Sequence, residues 1–213
     1  DTPFGAAEKY VADYELSGRT FPDMGNDTRQ NTFGPASAPV EFQLFFGYET
    51  DDLAQHLRSF QQILAAYPED VRMVVRHYAM SERCNMFSER NRRNDSCLMH
   101  HALESASILG GNDAFQKAYL WLLDNLDSFD ESRVGELADY LGLDAGLFLQ
   151  TIGADQTEAD CFADAAWLHT TPKLRATKPV IFVNNKRVQR WEVGEDRTSV
   201  LTEIIRRELE PTP

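Results

Sequence analysis

Cysteine is scarce in this 213-residue chain: there are three, Cys84, Cys97 and Cys161, and none precedes Cys84. Three permit one disulfide and a leftover thiol, and their number diagnoses no compartment. Basic charge is also short. Against 34 Asp and Glu stand 21 Lys and Arg, for a formal net charge of -13 and a pI near 4.8. That balance argues against general nucleic-acid binding, whose affinity depends on neutralising phosphates with Lys and Arg. It suits anionic lipid poorly as well, and its commonest meaning is solubility. No apolar run is long enough to span a bilayer, and the first residues do not resemble a signal peptide, which a mature form or an excised piece would equally lack. Also missing are a phosphate-cradling Gly-rich loop, a nucleophile elbow, a kinase signature, internal repeats and low-complexity tracts. What is there is 42% hydrophobic and 11% aromatic, enough for one substantial core or a domain with an insertion.

The stretch Ala38–Phe60 carries the clearest local pattern. Val40, Phe42, Leu44 and Phe45-Phe46 read as a buried strand, and Gly47-Tyr48-Glu49 turns the chain. Thr50 is the expected N-cap of the next helix, with Asp51 and Asp52 in its first turn and Leu53, Leu57, Phe60 and Leu64 at helical spacing. After a turn at Tyr67-Pro68-Glu69-Asp70, Val71–Tyr78 is a second strand, so the pair is expected to be parallel with a right-handed crossover. The pattern is then helical from Ser88 to about Thr171. Its segments are Cys97–Leu109, stopped by Gly110-Gly111, then Asn112–Leu126, Glu131–Leu141, Asp144–Ile152 and Thr157–His169. Val180–Val183, a turn at Asn184-Asn185 and Arg187–Val193 predict an antiparallel hairpin, and Asp196–Leu209 a closing amphipathic helix. Residues 1–33, acidic and turn-rich, read as an N-terminal arm or linker with a short helix over Ala6–Leu16.

Few side chains are spaced for chemistry. His100 and His101 are adjacent and point about 100° apart on a helix, a poor pair of metal ligands, and His56, His77 and His169 have no partner at ligand spacing. No metal site and no cofactor are expected. Cys161 shares a helix face with Ala165 and Leu168, the signature of a core thiol. Arg83, Arg90, Arg92 and Arg93 form a basic patch near Cys84, either a solvated loop or a docking surface for an acidic partner.

Two segments carry a family resemblance. Gly34-Pro35-Ala36-Ser37-Ala38-Pro39-Val40, leading into Phe45-Phe46-Gly47-Tyr48, resembles the start of a thioredoxin-fold domain of the DsbA type. Ala176-Thr177-Lys178-Pro179-Val180 through Asn184-Asn185-Lys186 is similar to that family's segment around its cis-proline. The element order β-α-β, helices, β-β-α agrees: a thioredoxin fold at residues 34–210, with a central mixed sheet and a helical insertion at about 84–171. The resemblance implies that Pro179 is cis and packs beside the Tyr48–Asp52 turn, and that Tyr48, Thr50, Lys178 and Pro179 form a surface for a peptide or protein partner. Where the family carries Cys-Pro-x-Cys, this chain has Thr50 and Leu53 at the cysteine positions. No catalytic residue is therefore carried over.

Cys84-Asn85 after a strand, with Cys97 opening a helix, resembles a subset of extracytoplasmic DsbA-like domains. A structural disulfide, two reduced thiols and an exchanging pair are all compatible with the residues, the first being favoured. Such a bridge would imply a periplasmic or secreted protein. Function reads as a redox-inactive peptide- or protein-binding module. The alternatives are an atypical thiol-disulfide oxidoreductase using Cys84 and Cys97, or a glutathione-dependent transferase or isomerase with Thr50 or Tyr48 as the activating hydroxyl.

Overall fold

The structure, a computed structural model, describes residues 3–17, 31–48, 52–88, 96–170 and 179–210. Helix α1 (Pro3–Leu16) leads to strand β1 (Thr32–Phe33), then β2 (Val40–Phe46), α2 (Leu53–Ala66) and β3 (Val71–His77). Four helices follow: α3 (Ser96–Asp124), α4 (Val134–Leu141), α5 (Ala145–Ile152) and α6 (Asp155–Thr170). The chain returns through β4 (Val180–Val183) and β5 (Lys186–Val188) to α7 (Ser199–Leu209). The strands form one mixed sheet in the order β1-β3-β2-β4-β5, in which β2 and β3 run parallel and the other neighbours antiparallel. This is the thioredoxin fold with a helical insertion between β3 and β4.

Alternation along β2 divides the core. Phe42, Leu44 and Phe46 join the main cluster with Leu57 and Phe60 of α2, Leu103 and Phe115 of α3, and Ile204 of α7. Phe45 faces the other way, into Val180, Phe182 and Leu168, with Trp167 stacked on it at 5.4 Å. Helix α1 belongs to the main cluster through Val11 and Tyr14. The Tyr14 hydroxyl donates to Glu208 at 2.8 Å, and Val183 O lies 3.2 Å from it. Part of the N-terminal region thus packs on the sheet, and Thr32–Phe33 adds an edge strand to it.

Several local expectations are corrected. Helix α2 begins at Leu53 with Asp52 as N-cap, so the cap is not Thr50, and Asp52 does not lie in the first turn. Asp52 adopts φ 56° and makes no side-chain capping bond, because a left-handed residue turns the chain into the helix. The expected break at Gly110-Gly111 does hold: Gly111 leaves helical geometry at φ 68° and ψ -163°, so α3 is two helical segments that meet at a kink. Strand β5 ends at Val188, short of Val193, and α7 starts at Ser199, not Asp196. A turn bridging Val193 and Asp196 intervenes, and Asp196 accepts from the N–H groups of Thr198 and Ser199 at 2.9 and 3.0 Å. Its side chain caps the helix from outside it.

Candidate functional site

The turn between β2 and α2 is where the resemblance places chemistry. Tyr48 is 3% exposed, with its ring edge-on to Phe46 at 5.4 Å and to His100 at 4.8 Å. It was expected on an exposed surface and is buried, because its ring completes an aromatic cluster at the end of β2. Burial pushes its phenol pKa well above the ordinary value, so no phenolate forms near neutral pH. Leu53 is 4% exposed and packs in the core as the first apolar residue of α2. Thr50 and Lys178, and with Lys178 the expected cis bond to Pro179, lie outside the described residues; so do Arg90, Arg92 and Arg93. Pro179 is buried, and it shares with Asp52 the wall of a cavity of about 550 Å³. Tyr48 and Asp52 line a neighbouring one of about 490 Å³.

Residues 191–197 brace the turn from one side. Glu192 meets His56 of α2 at 2.7 Å and Arg197 at 3.5 Å, and Arg197 reaches Asp52 at 3.6 Å. Trp191, buried, packs on His56 and Phe60.

Beneath the turn lies a polar network absent from the sequence reading. His77, at the end of β3, brings Nδ1 within 3.0 Å of His100 Nδ1 and Nε2 within 3.0 Å of Glu104 Oε2. Asn31 donates to the same carboxylate oxygen at 2.8 Å. All four side chains are almost fully buried. His77 has no partner at metal-ligand spacing in the sequence, but it has hydrogen-bond partners in space, and the available signal was His100 and Glu104 one turn apart on an otherwise apolar helix face. Burial, then the neighbouring His77 and His101, hold the His100 pKa well below its ordinary value, so this ring is neutral near pH 7. Next to it, Asp164 of α6 accepts from the His77 backbone N–H at 2.9 Å and lies 3.6 Å from Arg76. Among the described residues no group of three His, Cys, Asp or Glu side chains is arranged to hold a metal ion.

Cys84 and Cys97 form a disulfide that ties the loop after β3 to the first turn of α3, with Cα atoms 5.9 Å apart. Cys161 is free and buried. The helix dipole that activates a thiol at the start of α2 in a dithiol enzyme meets no sulfur here, since Leu53 and Asp52 occupy that terminus.

Fold and site together define a thioredoxin-like protein whose sheet is split by a helical insertion and whose α2 terminus carries no cysteine. More narrowly, the fold is that of the DsbA-type thiol-disulfide oxidoreductases. Wolbachia pipientis alpha-DsbA2, a thiol-disulfide exchange protein, is similar to 95% of this chain over 96% of its own length, with TM-score 0.67 and 13% identity. Bacillus subtilis BdbD matches 85% of this chain over 94% of its own, with TM-score 0.65 and 17% identity. Pseudomonas aeruginosa DsbA2 matches 88% over 95%, with TM-score 0.60 and 15% identity. No protein-family model and no curated protein matches the sequence.

Proposed function

We propose that this is a DsbA-like domain that has exchanged redox catalysis for binding: a redox-inactive module that holds a peptide or protein partner around Asp52 and Pro179. The observation that carries the reading is the start of α2. Neither Thr50 nor Leu53, which the resemblance aligns with the two cysteines, carries a sulfur, Leu53 is sunk in the core, and the chain's three cysteines are one disulfide pair and a buried free Cys161. Without a sulfur at that terminus there is no nucleophile to form a mixed disulfide. The test is insulin reduction in dithiothreitol. Turnover at the uncatalysed rate is expected, and turnover far above it that survives Cys84→Ser would defeat the reading.

A second reading draws on Cys97, second residue of α3, where a helix N-terminus stabilises a thiolate. It makes Cys84 and Cys97 an exchanging pair, and it requires insulin turnover that Cys84→Ser abolishes. The disulfide also supports maturation outside the cytoplasm. Among the described residues no helix is long and apolar enough to cross a membrane.

A further inference from the structure

The cavity that Asp52 and Pro179 share is walled largely by β5 and the segment after it, with Tyr10 of α1 also in its lining. Three arginines line it: Arg187, Arg190 and Arg197. In a chain of net charge -13, that is a local reversal of sign. Arg197 is committed to Asp52 and Glu192. Arg190 lies over the Tyr10 ring at 5.7 Å and meets no carboxylate among the described residues. Arg187 is the unexplained group. Its side chain is half-buried, its Nε is sealed from solvent with no hydrogen-bond partner among the described residues, and burial lowers the guanidinium pKa from its ordinary value. Buried donors without an acceptor are rare in native proteins, and a guanidinium fork matches a carboxylate edge to edge.

Among the described residues the backbone beside it is also without a partner. Asn184 and Asn185, at φ 46° and 63°, form a two-residue turn of the left-handed kind, so Val183 and Lys186 are the hydrogen-bonded pair that closes the hairpin. Alternation then makes Phe182 and Arg187 a non-hydrogen-bonded pair, and the Arg187 N–H and C=O turn away from β4. Strand β5 ends the sheet, so these groups face its outer edge. One residue thus offers a main-chain donor, a main-chain acceptor and a cation that meets no carboxylate among the described residues.

Resting on the peptide-binding reading above, we infer that the partner enters as an extended segment along the outer edge of β5 and places an Asp or Glu carboxylate on Arg187, with Arg190 adding charge. Asp52 and Glu192 stand in the same wall and oppose a dianion, which favours a carboxylate over a phosphate. Main-chain pairing would supply affinity and the arginine pocket specificity.

The probe is a fluorescent pentapeptide library in which each position in turn is fixed as Glu, Gln, Asp, Asn or Lys, read by polarisation on the full chain. One position is expected to prefer Glu or Asp over its amide by about tenfold or more, a factor of the size that a charged hydrogen-bond pair contributes. Arg187→Gln should erase that preference while Arg187→Lys keeps part of it, with an unchanged urea midpoint showing intact folding. If Arg187→Gln does not fold, Arg190→Gln is expected to weaken the preference. Peptides that bind with no acidic preference, or a preference that survives Arg187→Gln, overturn the inference and leave the binding module standing. Inorganic phosphate binding without any peptide binding overturns both.

Discussion

Replacing Glu104 tests whether the network beneath the turn stabilises the fold through its hydrogen bonds. Its Oε2 accepts from Asn31 Nδ2 at 2.8 Å and from His77 Nε2 at 3.0 Å, and the residue is 1% exposed. Glu104→Leu leaves both donors without an acceptor, at about 1–3 kcal/mol each. Burial of the leucine returns about 2 kcal/mol, so the net loss centres near 2 kcal/mol. Glu104→Gln behaves differently because both donors converge on a single oxygen, which an amide oxygen can replace. It forfeits charge assistance worth about 1 kcal/mol and gains relief from burying a carboxylate, for a net change near zero. Urea unfolding at pH 7.5, followed by the fluorescence of Trp121, Trp167 and Trp191, measures both variants. The glutamine variant should exceed the leucine variant by about 2 kcal/mol. A leucine variant as stable as the glutamine one, or more stable than the parent, would refute the argument and make the network a tolerated cost.

Cys97→Ser should lower stability by about 3 kcal/mol, the chain-entropy value for a loop of roughly fourteen residues, and leave the circular-dichroism spectrum intact. Denatured protein should titrate one thiol without reductant, Cys161, and three after reduction; three without reductant would contradict the bridge. Because the folded-state pKa of His100 lies below its ordinary value of 6.5, the unfolded chain takes up a proton that the native ring refuses. Stability should therefore be level above about pH 6.5 and fall towards about pH 5, by up to about 1.4 kcal/mol per pH unit for that ring, with His100→Gln flattening the slope in a pH series of urea midpoints. Gly34→Ala should destabilise by at least about 3 kcal/mol or abolish folding, since Gly34 sits at φ +80° and a Cβ would stand 2.1 Å from the Val71 carbonyl oxygen; a thermal melt within a few degrees of the parent would contradict that.

The sequence by itself determined the order of the elements from Val40 onward, but not the edge strand at Thr32–Phe33. Alternating apolar residues in Val40–Phe46 and VIFV at Val180–Val183, and helical spacing from Leu53 to Leu64, are local signals that depend only on which face of an element meets the core. The absence of any cysteine before Cys84 was equally legible, because reading it needs no coordinates. Boundaries were less so: Asp52 and Asp196 look alike as acidic caps, yet one turns left-handed and the other bonds ahead of its helix. Only the tertiary structure decided what meets across the chain. His77 and His100 are 23 residues apart, and Asn31 and Glu104 are 73 apart, so no spacing rule links them until β1, β3 and α3 pack together. The same holds for Arg187, half-buried on an edge strand that only the assembled sheet defines, whose Nε meets no hydrogen-bond partner among the described residues.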